Sequence, residues 1–208
     1  MKLRLVWGLV IVAGACSPRP APAQDPVPAL DSVIPEGRGQ LAQEVITLQL
    51  RSGNLEIRFT PLDERVTRLL APDAWRSLQD LVTRNAAQVD SVARRAGIRQ
   101  PGLVLVSFYA LAPDTRFDPN LLTVSSHNRI LRPADVIPLS ASFSAQQLGT
   151  RERAMGLYIY EDLIPVNEPF GIEYLGVTTN EWERRLPRFD RERARIQSRS
   201  GGGQDEDR

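Results

Sequence analysis

The stretch ITLQLRSGNLEIRF, residues 46–59, alternates apolar and polar side chains on either side of a Ser-Gly-Asn centre. Ile46, Leu48 and Leu50 alternate with Thr47, Gln49 and Arg51, and Leu55, Ile57 and Phe59 alternate with Glu56 and Arg58. A period of two belongs to a strand with one buried face. A two-residue turn at Ser52-Gly53 predicts Leu50 opposite Leu55, Leu48 opposite Ile57 and Ile46 opposite Phe59, with Gln49–Glu56 and Thr47–Arg58 on the other face. A slip of one residue would turn the apolar set into solvent, so the pairing is strongly specified. The folded domain therefore opens with an antiparallel hairpin.

Downstream, Leu62–Ala71 has no clear period, and a helix follows. Pro72 and Asp73 supply its start and Gly97 its stop. Trp75, Leu78, Val82, Ala86, Val89, Ala93 and Ala96 recur at helical spacing, an apolar stripe suited to the open face of a sheet. Leu103–Leu111 (LVLVSFYAL) is almost continuously apolar, as in a strand covered on both faces. Leu121–Ser126 and Arg129–Arg132 flank His127-Asn128, a tight turn in which Asn tolerates positive φ, and the turn sets Val124 opposite Leu131. Met155–Glu161 and Phe170–Thr178 are rich in β-branched and aromatic residues and read as strands joined by the loop Glu161–Pro169. Asn180 can cap a last helix carrying Trp182, Leu186, Phe189, Arg193 and Ile196 on one stripe, and Pro187 inside it predicts a kink or a restart. Strands this local in sequence, linked by hairpins, pair antiparallel. The fold class is α+β: a mainly antiparallel, β-sandwich-like sheet domain with one long inserted helix and a C-terminal helix.

The N-terminus carries a different message. Lys2 and Arg4 precede the uncharged apolar run Leu5–Ala15, and small residues follow; this is the pattern of an export signal over residues 1–15. The run is too short for a spanning helix, which needs about 20 apolar residues. Ala13-Gly14-Ala15-Cys16 resembles the lipobox of bacterial lipoproteins, with Ala13 where the strongest form has Leu. The resemblance covers only these first residues. It implies that Cys16 is lipidated and becomes the new N-terminus, and that Ser17 after it permits sorting to the outer membrane, facing the periplasm. The competing cut, after Ala21-Pro22-Ala23, would release a soluble periplasmic or secreted chain beginning at Gln24. Cys16 is the only cysteine, which rules out a structural disulfide within the chain. Residues 16–44 are rich in Pro, Ala and Gly and read as a tether, residues 45–197 as a single domain, and residues 198–208 (SRSGGGQDEDR) as a disordered tail.

Composition narrows the partners. Without Lys2 and Arg4 the chain keeps 24 basic against 25 acidic residues. It has no global drive toward nucleic acid. A domain of this length buries about 70% of its unfolded surface and folds without a metal or disulfide.

Four constellations bear on chemistry. Gly37-Arg38-Gly39-Gln40-Leu41-Ala42 fits G-x-G-x-x-A, but it follows a Pro-rich stretch and precedes a strand, the wrong setting for a dinucleotide. His127, the single histidine, sits by Ser125 and Ser126, but no G-x-S-x-G elbow accompanies it and zinc would lack ligands. Glu161, Asp162 and Glu168 bracket an acidic loop without the spacing of a calcium loop. Tyr158 and Tyr160 share one strand face and serve either as core or as a sticky surface.

The basic last helix is the remaining candidate, with Arg184, Arg188 and Arg195 singled out for contact with a partner or membrane. The expected function is a non-catalytic cell-envelope lipoprotein with no cofactor and no metal site. It would bind or scaffold another envelope component, an envelope protein partner included. The alternative is a soluble secreted hydrolase or carbohydrate-active domain with Glu161 near Glu168.

Overall fold

The computed structural model describes residues 34–201 apart from Asn128, so the export signal, Cys16, the Ala21–Ala23 cut and residues 202–208 lie outside it. Strands β1 (Leu48–Ser52) and β2 (Leu55–Pro61) form the opening hairpin. Its register is Leu48↔Phe59, Leu50↔Ile57 and Ser52↔Leu55, two residues away from the pairing expected for a Ser52-Gly53 turn. The turn is Gly53-Asn54, with Gly53 at φ +56°. A shift of two residues keeps every side chain on its own face, so the apolar alternation cannot distinguish the two registers. The turn decides it, because glycine takes positive φ without steric cost.

Next come a single helical turn, α1 (Glu64–Thr67), in the stretch with no clear period, and the long helix α2 (Pro72–Ala96). Both predicted ends of α2 are present: Pro72 opens it and Gly97 closes it at φ +70°. Its buried residues are Leu78, Val89, Val92 and Ala93, whereas Ala86 and Ala96 of the predicted stripe are exposed. Strand β3 (Gly102–Ala110) alternates buried and half-buried positions along its length. Its fully buried face carries Val104, Val106 and Phe108, and its half-buried face carries Leu103 and Leu105. The near-continuous apolar run reflects this double cover.

Short strands β4 (Thr115–Arg116) and β8 (Gln147–Leu148) pair with each other. Between them lie β5 (Thr123–Ser126), β6 (Arg129–Leu131), β7 (Pro133–Pro138) and the short helix α3 (Ala141–Ala145). The β5–β6 hairpin has the predicted register, Val124↔Leu131, with His127 at φ +49°. The expected role of Asn128 in that turn falls outside the described residues. Strand β9 (Arg153–Tyr160) follows. The segment read as one strand over Phe170–Thr178 is instead a second hairpin, β10 (Gly171–Tyr174) and β11 (Val177–Thr179). Leu175 and Gly176 turn it, with φ +51° and +76°.

Two main sheets result. The first has the order β1-β2-β3-β9-β7 and the second β11-β10-β5-β6, with every pair antiparallel. Strands β9 and β10 are therefore not partners: the loop between them crosses from one sheet to the other. The inner faces meet through aromatic side chains. Phe59 lies 6.2 Å from Phe170 and Phe108 6.1 Å from Tyr174, ring to ring. Helix α2 covers the other face of the larger sheet, where its Leu78 and Leu81 face Leu105, Leu139 and Met155 across a depression. The protein is α+β, with a sandwich-like pair of antiparallel sheets.

Tyr158 and Tyr160 are fully buried, and they donate hydrogen bonds to the carbonyls of Pro119, at 2.9 Å, and Leu122, at 3.4 Å. Burial pushes both phenols well above the ordinary tyrosine value. They belong to the core and offer no binding surface.

Helix α4 (Trp182–Gly201) closes the chain without a break, Pro187 included. At the sixth residue of the helix, proline forfeits a bond to the first turn and leaves the rest of the helical ladder in place. Residues 198–201, assigned to the tail by composition, are helical. Residues 34–44, read as tether, are packed on the domain: Ile34 and Leu41 are buried, and Leu41 bridges Leu70 in parallel.

Candidate functional site

Helix α4 is built to be held on one side. Trp182, Phe189 and Ile196 recur at intervals of seven residues and are all buried. The Trp182 ring lies 4.7 Å from Phe170 and 5.0 Å from Phe189, and its indole N–H donates to the Val166 carbonyl at 3.0 Å. Three arginines, Arg185 and Arg193 beside this apolar stripe and a third further round the helix, fasten it to backbone. Arg185 Nη1 donates to the carbonyls of Val45, at 3.1 Å, and Thr47, at 2.6 Å. Arg193 Nη2 reaches Asn167 Oδ1 at 2.6 Å and the Arg65 carbonyl at 3.3 Å.

Arg195, singled out from the sequence for contact with a partner or membrane, is the third. It forms a two-pronged pair with Glu192, at 2.8 Å and 2.6 Å, and donates to the Arg38 carbonyl at 2.9 Å. Glu192, only 8% exposed, in turn accepts the Gln40 amide at 2.7 Å. Arg195 is thus committed to clasping the segment Ile34–Leu41. Nothing in the sequence singled out this clasp, because its partners stand 152 residues apart.

The Arg195 bond holds the Glu192 carboxyl below the usual carboxylate range; burial works against it, and the Gln40 amide adds to the lowering. Glu192 therefore releases its proton more readily in the fold than in the unfolded chain. Its stabilising effect is complete above the ordinary carboxyl value, about 4.3, and is lost as pH falls through the lowered one. Acidification below about pH 4 is expected to lower the protection of the Gln40 amide, meaning its exchange relative to the unfolded chain at the same pH. Glu192→Gln is expected to remove the pH dependence of that protection, which exchange corrected for the intrinsic rate at each pH checks.

Arg184 and Arg188 lie on the opposite side of α4 and are exposed, as is Arg191 between them and Arg195. With Arg195 and Arg199 they follow one another at steps of four, three, four and four residues, which places them in one row along the helix. Arg185, Arg193 and Arg195 are offset by Glu181, Asp190 and Glu192 at 3.2, 3.0 and 2.6 Å. Arg184, Arg188 and Arg191 of the row make none of these pairs. Arg191 replaces Arg195 in the candidate set.

The other constellations come apart. His127 Nδ1 lies 3.2 Å from Ser126 Oγ and 3.6 Å from Glu168 Oε2, while Ser126 Oγ donates to the Pro169 carbonyl at 3.2 Å. Serine activation needs the base on one ring nitrogen and its orienting carboxylate on the other. Here both meet the same nitrogen, and the serine proton points elsewhere. Glu161 lines a depression of about 810 Å³ beside the C-terminal end of α2, with Asp162 and Arg99, whereas Glu168 turns to His127. Asp162 pairs with Arg129 at 2.7 Å, and that bond lowers its carboxyl below the usual value. Among the described residues no three His, Cys, Asp or Glu side chains gather as metal ligands, and no helix is long and apolar enough to cross a membrane. The G-x-G-x-x-A stretch packs Gly39 against the backbone of Leu69 and Leu70.

No family model, curated protein or solved structure matches this chain.

Proposed function

We propose that this protein is a non-catalytic, lipid-anchored cell-envelope module that binds another envelope component through the outer face of α4. Cys16 carries the anchor, and the domain faces the periplasm from the outer membrane. The observation that carries the binding reading is the division of labour on α4. Arg185, Arg193 and Arg195 are used up in holding the helix down, while Arg184, Arg188 and Arg191 stand exposed in one row. Exposed cations without a structural task suit an anionic counterpart.

The test is cross-linking in the native cells, with purification through a tag after Arg208 and mass spectrometry of the eluate. The expected result is a lipidated Cys16 terminus together with an envelope component whose capture is lost in R184E/R188E/R191E. A free Gln24 terminus, or capture unchanged by the charge reversal, would overturn the reading in its first or second half.

A further inference from the structure

We infer that the counterpart of the α4 row is the anionic headgroup layer of the membrane itself, and that α4 lays the domain down on the surface to which Cys16 ties it. The inference names the partner of the face proposed above and rests on that reading.

Two observations favour phospholipid over protein. Protein interfaces use arginine too, but set it around buried aromatic or apolar anchors at their centre. The large exposed apolar residues among those described are Leu121, Ile130, Leu163, Leu175 and Val177, and none lies on α4. Between the arginines the face exposes only Pro187, Ala194 and Ser198, none of them a large apolar anchor. A headgroup layer asks only for charge in a row, and Arg184 to Arg199 spans about 22 Å at the rise of an α-helix.

The second observation is where the anchor joins. The segment leading back to Cys16 reaches the domain at Ile34 and runs through Arg38 and Gln40, which Arg195 and Glu192 of α4 hold. Arg38 is itself exposed beside that clasp. Seventeen residues, Ser17–Val33, separate Cys16 from Ile34 and span at most about 60 Å. An anchor at Cys16 thus keeps the membrane within that reach of the basic row. A tether of this kind gives an effective concentration in the millimolar range, so a contact too weak for a free protein becomes populated.

The chain from Ser17 onward keeps every residue of the described fold and lacks the anchor. Its co-sedimentation would be measured at low ionic strength with phosphatidylglycerol/phosphatidylcholine vesicles and with phosphatidylcholine vesicles alone. Binding is expected to the first and not the second, and to weaken as salt is added. R184Q/R188Q/R191Q is expected to lower the partition about a hundredfold, at about fivefold for each basic residue near an anionic surface. R76Q/R84Q/R94Q removes the same charge from exposed positions of α2 and is expected to bind as the parent does. Denaturant midpoints confirm that both variants fold.

Equal binding to both vesicle types, equal losses in the two triple variants, or displacement by inorganic phosphate at millimolar concentration would overturn the inference. So would charge-sensitive capture of an acidic protein in cells without vesicle binding, an outcome that leaves the binding role of α4 standing. None of these readouts depends on Cys16, so a failure of lipidation in cells remains a separate result.

Discussion

Trp182→Ala is expected to destabilise the domain by about 4–5 kcal/mol. The side chain is fully buried and sits between Phe170 and Phe189, tilted against both rings, so its removal leaves a cavity where three rings met. Truncations of buried Trp or Phe to Ala cost about 3–5 kcal/mol. The Val166 carbonyl, fully buried in its residue, also loses its indole donor. An orphaned buried acceptor costs about 1–3 kcal/mol more, and partial overlap of the two terms keeps the total near the stated range. A domain has about 5–15 kcal/mol in hand, so α4 would detach or the fold would fail near body temperature. Trp182→Phe separates the contributions: it keeps an aromatic ring between Phe170 and Phe189 and loses the donor, and is expected to cost about 1–2 kcal/mol. Urea unfolding, with the slope checked for constancy, reads both. A loss under about 1.5 kcal/mol for Trp182→Ala would mean that α4 is not anchored by this ring.

Gly39→Ala comes second. Its φ is not in the left-handed region; the constraint is space, since a Cβ would stand 2.1 Å from the Leu69 carbonyl carbon and 2.5 Å from the Leu70 oxygen. Backbone cannot yield as a flexible side chain would, so the segment must move away from α1 and α2. With it go the Leu41 amide bond to the Leu69 carbonyl at 3.0 Å, the Ala71 amide bond to the Leu41 carbonyl at 2.9 Å and the burial of Ile34 and Leu41. Those losses total about 3 kcal/mol or more, and they are local. Tryptic cleavage after Arg38 is expected to accelerate about a hundredfold while the unfolding midpoint of the sheets moves less. Gly37→Ala is the contrast: its Cβ meets open space and only the φ of +69° resists it, so about 1 kcal/mol is expected. Equal protection of Arg38 in the parent and in Gly39→Ala would show that the close approach can relax.

What the sequence disclosed follows from the range of each signal. The caps of α2 at Pro72 and Gly97 and the hairpin about His127 depend on neighbours within a few residues, and they are where the residues place them. The Gly53-Asn54 turn shows the limit: apolar alternation determines the face, but registers two apart share it. The turn at Leu175-Gly176 escapes because a leucine at φ +51° looks like one more strand residue. Prolines at both ends of β7 hide an edge strand, where a missing N–H is tolerated. That β9 and β10 lie in different sheets is a matter of topology, which no window of sequence carries. The same holds for the candidate site. The basic row was visible as composition, but which arginines remain available was decided by contacts such as Arg195 to Arg38, 157 residues apart.

That clasp also sets where a mechanical load would travel. A pull transmitted from the N-terminal side reaches the domain at Ile34 and meets first the Arg68 bond to the Ile34 carbonyl, at 3.2 Å, and then the Glu192–Gln40 and Arg195–Arg38 bonds. The hairpin of β1 and β2 begins only beyond them, at Leu48. Tension would strip this short segment from the last helix before it strained a single strand ladder. The segment Ile34–Leu41 is thus expected to give way as a unit before the sheets do, and stretching the protein from its N-terminal side in a force-extension measurement would show that as a first, small step.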